Sequence, residues 1–144
     1  MNRLDKFSTI FIKTGKKAVA LNVIRKLLIL IKEILLVKSS VAFVNYAFSL
    51  VEPSIDIRKT RSGGRLFFVP VPCRSNRRIF LAATFFLEAI EIRKKNLRCP
   101  LEYAMFLELS DIVRNKQCLS LRRKKELMLQ AGKYKASAKF IKGF

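Results

Sequence analysis

The sequence predicts a mainly α-helical fold: a six-helix bundle from which one two-stranded β-ribbon protrudes between the third and fourth helices, at about residues 54–72. Three observations predict it. Apolar residues recur at three- and four-residue spacing in six stretches, the pattern of helices that bury one face. Only one stretch breaks that rhythm, with two short strand-like runs flanking a Gly-Gly turn. Finally, 51% of the 144 residues are hydrophobic, enough for a real core, and no repeat, low-complexity tract or second domain interrupts them. Residues 1–144 therefore read as a single domain.

Leu4, Phe7, Ile10 and Phe11 give a short amphipathic helix near 3–13, ended by Thr14-Gly15 with Gly15 as a candidate C-terminal cap. Residues 17–37 carry Val19, Leu21, Val23, Ile24, Leu27, Leu28, Ile31, Ile34 and Leu35. A membrane span needs about 20 predominantly apolar residues. Arg25, Lys26, Lys32 and Glu33 interrupt this run, and each costs about 2.5–3.5 kcal/mol at a bilayer centre if unpaired. The expectation is a buried central helix of the bundle and no membrane insertion. A small basic membrane protein using 17–37 as its span is the competing reading.

Ser39 or Ser40 is a good N-cap for a third helix over about 41–51, whose apolar face is Phe43, Val44, Ala47, Phe48 and Val51. Glu52-Pro53 stops it, because the residue before proline avoids the helical region. The ribbon follows. Its arms are Ser54–Lys59 and Leu66–Val71, and its turn is Arg61-Ser62-Gly63-Gly64-Arg65, where the glycines permit the positive φ of a tight hairpin. Pro70 and Pro72 cannot donate to a ladder, so the second arm is an edge strand. Ser75 or Asn76 is expected to cap a fourth helix to about Lys95, packed through Ile79, Ala82, Ala83, Phe86, Leu87 and Ile90. Pro100 opens a fifth, to about Lys116, with Ala104, Leu107 and Ile112 buried. A sixth runs from about Ser120 to Ala138, with Leu127, Ala131, Tyr134, Ala138 and Ile141 as its stripe. Arg122, Arg123, Lys124, Lys125, Lys133, Lys135, Lys139 and Lys142 surround that stripe.

Charge sets the functional class. Lys and Arg number 30 against 10 acidic residues, a formal net charge of +20. Self-repulsion on that scale opposes the compact state, and the natural partner is a polyanion. A lone two-stranded ribbon is marginal in water. Here it carries Arg58, Lys59, Arg61 and Arg65, with Arg74, Arg77 and Arg78 at its exit. Arg77 and Arg78 fall in the first turn of the fourth helix, where the helix dipole disfavours cations and backbone N–H groups favour an anion, so a phosphate is expected there. A solvated hairpin whose charges only keep an edge soluble is the alternative. Phe67 and Phe68 are candidates for stacking on bases, yet strand neighbours point to opposite faces, so at least one is expected to pack the ribbon onto the helices.

Other chemistry is thin. With no histidine, Ser-His-Asp and Cys-His arrangements and His-containing metal sites are excluded. Cys73, Cys99 and Cys118 form no CxxC pair and give neither a disulfide framework nor a zinc signature. Glu88 with Glu91, and Glu108 with Asp111, lie one helical turn apart, but nothing completes a catalytic or metal site around them, and they read as structural. No Walker loop, GxSxG or dinucleotide fingerprint is present. The expectation is no enzyme activity and no cofactor. The N-terminus MNRLDKFSTIFIKTGKK shows neither a secretory core with a cleavage site nor an Arg/Ser-rich transit peptide, so the protein is expected to act where it is made.

The run VEPSIDIRKTRSGGRLFFVPVPCRSNRR resembles the bacterial-type small-subunit ribosomal protein seven family. The family's V-x-P-x-[VI]-x-[VI]-[KR] strand matches Val51 to Arg58, its R-x-G-G turn Arg61 to Gly64, its V-P-V segment Val69 to Val71 and its exit R-x-x-R-R Arg74 to Arg78. Leu81-Ala82, Glu88-Ala89, Glu108-Leu109-Ser110-Asp111, Asn115-Lys116, Arg123-Lys124, Ala131 and Ala138-Lys139-Phe140 are similar to the family downstream. Lys6-Phe7 and Gly15-Lys16-Lys17 are similar upstream. The likeness spans nearly the whole chain and is strongest from Val51 to Asp111.

The resemblance implies a six-helix bundle with a protruding ribbon. It implies a structural protein that binds the 3′ major domain of small-subunit rRNA in the subunit head, near the exit site for tRNA, and nucleates head assembly. Carried over position by position, rRNA contact falls to Lys16, Lys17, Arg58, Lys59, Arg61, Arg65, Arg74, Arg77, Arg78, Arg123 and Lys124. The implied partners are small-subunit rRNA, neighbouring head proteins, and tRNA or mRNA near the exit site. The competing reading is a non-ribosomal RNA- or DNA-binding module. The chain departs from the family in a nearly missing basic arm before the first helix and an end at Phe144 where many members continue. The resemblance therefore does not carry over contacts made through such tails, including one to a platform protein near the exit site. The first 50 residues are rich in Phe, Ile, Leu and Lys, and the chain lacks His and Trp, which points to an A+T-rich organellar genome. The expected location is the mitochondrial matrix, in the mitoribosome small subunit, with a plastid or a bacterial cytoplasm as the alternatives.

Overall fold

The structure, a computed structural model, describes residues 3–12 and 15–140. The expectations for Thr14, Ile141 and Lys142 lie outside the described residues. The elements are α1 (Arg3–Phe11), α2 (Lys17–Leu35), α3 (Ser40–Val51), β1 (Ile55–Ser62), β2 (Arg65–Pro72), α4 (Ser75–Leu97), α5 (Leu101–Val113), α6 (Leu119–Lys133) and a closing 3₁₀ segment (Lys135–Phe140). Among the described residues, six α-helices with one hairpin between the third and fourth form the architecture the periodicity predicts.

The local signals act largely as their chemistry dictates. Ser39 caps α3, its hydroxyl accepting from the Ala42 amide at 3.3 Å. Gly15 takes a φ of 73° in the turn before α2. The hairpin turn is two residues, Gly63 and Gly64, with φ of 56° and 77°. Positive φ at both positions matches the twist of the flanking strands. β1 and β2 pair antiparallel from Ile55 opposite Pro72 to Ser62 opposite Arg65, and among the described residues no third strand needs the N–H groups that Pro70 and Pro72 lack.

The core is built on an aromatic triad. Phe7 of α1, Phe48 of α3 and Phe86 of α4 hold their ring centroids 5.3–5.4 Å apart in tilted and edge-to-face contacts, the geometry that ring quadrupoles favour. α5 is the central helix, with Ala104, Met105, Phe106, Glu108, Leu109, Ser110 and Ile112 buried. This corrects the expectation for α2. It buries one stripe, Ala20, Ile24, Leu27 and Ile31, whereas Val19 and Ile34 are 59% and 52% exposed. α2 is an outer helix, because Arg25, Lys26, Lys32 and Glu33 need water on its other side. Among the described residues no helix is long and apolar enough to cross a membrane.

Three helix ends differ from expectation. α4 starts after Arg74 with no side-chain cap, and the Asn76 amide oxygen accepts from Lys6 instead. α5 ends at Val113, where Asn115 turns left-handed at φ 52° and the Lys116 amide reaches back to the Asp111 carbonyl at 3.0 Å, a Schellman-type stop. α6 ends at Lys133, just after Gly132, and the chain tightens into the 3₁₀ segment laid along β2. Glycine is a poor helix former, and Tyr134 finds a better place against the ribbon.

One buried polar knot joins α4, α5 and α6. The Glu108 side chain is 1% exposed. It accepts from Arg93 at 2.6 Å, from the Ser120 hydroxyl at 2.6 Å and from the Ser120 amide at 3.2 Å. Arg93 also meets Asp111 at 2.9 Å. The paired carboxylates thus serve packing, with their charge held by one guanidinium.

Candidate nucleic-acid interface

Long-range polar contacts gather one pole of the bundle. Arg3 of α1 pairs with Glu52 after α3, and Lys6 reaches Asn76 at the start of α4. Lys124 of α6 donates to the Leu50 carbonyl at 2.7 Å. The Cys73 amide donates to the Ser54 carbonyl at 2.9 Å and closes the ribbon base. The ribbon therefore emerges where α1, α3, α4 and α6 meet.

Asp56 pins that base. It is 8% exposed, and its second carboxylate oxygen accepts from Arg77 at 2.8 Å. Arg77 also lies over the Phe80 ring, 5.3 Å from its centroid. The sequence-based reading placed Arg77 with Arg78 as phosphate ligands at a helix start. The structure instead gives Arg77 a carboxylate 21 residues away, with its side chain still 46% exposed. Asp56 was missed. Its one signal was being the lone acid in a strand of apolar, basic and hydroxyl residues.

Around this base the cations spread outward. Arg58, Lys59, Arg61 and Arg65 are exposed, as are Arg74 and Arg78. The register places Lys59 and Arg61 on one face of the ribbon and Arg58 and Arg65 on the other, so the tip is cationic all round. Among the described residues no acidic side chain pairs with Arg61, Arg65, Arg74 or Arg78. Burial and Asp56 push the buried Cys73 thiol above its usual value, although Arg78, Arg77 and Arg58 pull the other way.

Other predicted positions are placed differently. Arg123 meets Glu88 and Glu126, each at 3.2 Å. Lys124 is half-buried, and burial holds its ammonium below the usual lysine range, with Glu52 opposing. Both serve to dock α6 on its neighbours. Lys16 and Lys17 are exposed at the start of α2, beyond the far end of α1.

The ribbon does not stand wholly free. Val69 and Val71 are buried, and α6 and the 3₁₀ segment pack along it. Phe68 stacks on Tyr134 with centroids 5.2 Å apart and planes at 28°. Lys59 lies over the same Phe68 ring at 5.8 Å. Phe68 thus packs the ribbon down, and Phe67 is half-buried on the opposite face. Chemically, this pole offers fixed positive charge on an extended finger and at an uncapped helix start. Among the described residues no group of His, Cys, Asp and Glu is arranged to hold a metal ion.

Comparison with known proteins gives a consistent result. Residues 2–135 match the family described as ribosomal protein S7p/S5e. The chain is 28% identical over 137 residues to small ribosomal subunit protein uS7 of Wigglesworthia glossinidia brevipalpis, covering 95% of this chain and 85% of that protein. It is 32% identical over 113 residues to uS7 of Cereibacter sphaeroides, covering 78% of this chain and 70% of that one. It is 35% identical over 94 residues to uS7 of Baumannia cicadellinicola, covering 63% and 58% respectively.

Proposed function

The chain belongs to the ribosomal protein S7p/S5e family, and from that premise we propose how it meets RNA. It is a structural, non-enzymatic constituent of the small ribosomal subunit. Its basic pole lies against the 3′ major domain of the small-subunit rRNA in the head, where it supports head assembly and the tRNA exit and decoding region. Arg58, Lys59, Arg61 and Arg65 contact the phosphate backbone from the ribbon, and Arg74 and Arg78 from the start of α4. Lys16 and Lys17 reach a second stretch of RNA. Arg77, Arg123 and Lys124 hold the elements that carry the face, and their exposed atoms meet RNA at its margin. Neighbouring head proteins, tRNA and mRNA complete the set of partners.

One observation carries this reading: Arg61 and Arg65 flank a Gly-Gly turn at the end of an extended finger, with no acidic partner among the described residues. Bare like charge on a marginal two-stranded element is tolerable when a polyanion neutralises it. RNA duplexes are read through shape, phosphates and 2′-hydroxyls, a task that suits such a finger. Filter binding to a 3′ major domain transcript and to an equal-length 5′ domain transcript tests the assignment. Preferential retention of the 3′ transcript is expected, and equal retention would contradict it.

The host ribosome is mitochondrial in this proposal. The support is compositional: a Phe-, Ile-, Leu- and Lys-rich N-terminal third, and no His or Trp in 144 residues. Cell fractionation tests it, with co-sedimentation with mitochondrial small subunits as the expected result and co-sedimentation with plastid or bacterial subunits as the contrary one.

A further inference from the structure

We propose that Tyr134 is a positioning residue that aims the ribbon at its RNA; this rests on the RNA-binding reading above. Tyr134 stands at the point where α6 stops and the 3₁₀ segment begins. Its amide still closes α6 on the Gln130 carbonyl at 3.2 Å, and its carbonyl accepts from the Ser137 amide at 2.9 Å. The residue is therefore fixed on both sides by backbone bonds. Its ring lies against Phe68, 66 residues earlier, at 5.2 Å and 28°. Phe68 pairs directly with Lys59 across the ladder, and the Lys59 ammonium sits 5.8 Å from the Phe68 centroid. Tyr134, Phe68 and Lys59 form one column from the rigid helix to a predicted RNA contact.

The column sits at a mechanically telling place. Besides the buried Val69 and Val71, two side-chain pairs tie the ribbon to the helices. Asp56 with Arg77 ties the start of β1 to α4. Phe68 with Tyr134 ties the middle of β2 to the end of α6. The first fixes where the ribbon emerges, and the second fixes its direction. Beyond Phe68 the two arms run on to the Gly63-Gly64 turn, with Thr60 and Phe67 half-buried on one face and Arg61 and Arg65 exposed. Releasing the second anchor leaves every cation in place but lets the finger swing, and the RNA must then order it on binding. Loss of preorganisation lowers affinity without changing which phosphates are met.

That distinction sets the experiment. The full-length protein and a 3′ major domain transcript are titrated across a salt series for wild type, Tyr134→Ala, Tyr134→Phe and the tip variant Arg61→Ala/Arg65→Ala. Aromatic pairs of this kind are worth about 0.5–1.5 kcal/mol, or roughly 2- to 13-fold in an equilibrium. Tyr134→Ala is expected to weaken binding by about that factor at every salt concentration, with the slope of log K against log salt unchanged. Tyr134→Phe, which keeps the ring, binds as wild type. Amide exchange in the free protein should quicken in β1 and β2 while α4 and α5 stay as they were. If Tyr134→Ala loses helix signal, Tyr134→Leu, which keeps apolar bulk without a ring, carries the same comparison.

Affinity of Tyr134→Ala within twofold of wild type would overturn the assignment. So would a slope reduced as in the tip variant, since Tyr134 would then lie in the interface itself. If the tip variant binds with wild-type affinity and slope, the RNA-binding reading fails and this inference falls with it. A tip variant that weakens beside an unaffected Tyr134→Ala refutes the positioning role alone.

Discussion

Truncating Glu108 to alanine should unseat α6 from α4 and α5. The side chain is 1% exposed and takes three hydrogen bonds, from Arg93 at 2.6 Å and from Ser120 at 2.6 and 3.2 Å. Removing one partner of a buried ion pair costs about 3–5 kcal/mol. Two features of the site reduce that figure. Arg93 keeps Asp111 at 2.9 Å and is 22% exposed, so its charge is neither orphaned nor dry. Against this, the Ser120 hydroxyl and amide lose their acceptor, at about 1 kcal/mol or more each when buried. The expected loss for Glu108→Ala is about 3 kcal/mol. Ser120→Ala, which removes one hydroxyl and leaves the ion pair, should cost about 1 kcal/mol. Urea unfolding in moderate salt, which screens the +20 charge, measures both. Equal midpoints for Glu108→Ala and Ser120→Ala would refute the reasoning, since the buried charge would then contribute nothing beyond the hydroxyl.

The pH dependence has two opposed parts. Burial raises the Cys118 and Cys73 thiols above 9.0, so their contribution is full below pH 9.0 and is lost as pH rises through the folded-state values. Burial lowers Lys124 from 10.5, so its contribution is lost as pH falls through the folded-state value and rises towards 10.5. Urea midpoints at pH 8 and pH 10 should fall less in Cys73→Ala/Cys118→Ala than in wild type, and an unchanged pH response would count against thiol burial. Leu36 sits at φ 51° after α2 and is 86% exposed, so Leu36→Gly should relieve left-handed strain at little cost in burial and raise stability by roughly 0.5–1 kcal/mol. A lowered melting temperature would contradict that. Arg77→Glu places a second carboxylate beside Asp56 and should cost about 1–3 kcal/mol at the ribbon base. Arg78→Glu should leave stability within about 0.5 kcal/mol while weakening RNA binding. Equal unfolding midpoints for the two variants would show that Arg77 anchors nothing.

Much of the fold was legible because it rests on local chemistry. Ser39 before α3, Glu52-Pro53 after it and Gly63-Gly64 in the turn each act through their own backbone. The same locality marks the limit. Periodicity shows that α2 and α5 each bury a face, but not which of them sits centrally; the charges at Arg25, Lys26, Lys32 and Glu33 were the overlooked clue. Contacts between distant positions leave no periodic trace. Asp56 with Arg77 and Phe68 with Tyr134 are of that kind, so charge alone could not separate cations that build the face from those that hold it up. Gly132 carried a legible warning that α6 would stop short of Ala138. The basic residues of the ribbon tip were legible throughout, because among the described residues no acidic side chain pairs with Arg61 or Arg65.

The central claim is that the ribbon tip meets a phosphate backbone, and its most direct test is the salt dependence of binding to the 3′ major domain transcript for wild type and Arg61→Ala/Arg65→Ala. Each neutralised phosphate contributes about 0.7–0.9 to the slope of log K against log salt, so losing two should flatten it by roughly 1.4–1.8. Parallel lines for the two proteins would mean that the tip touches no phosphate, and the account would be wrong.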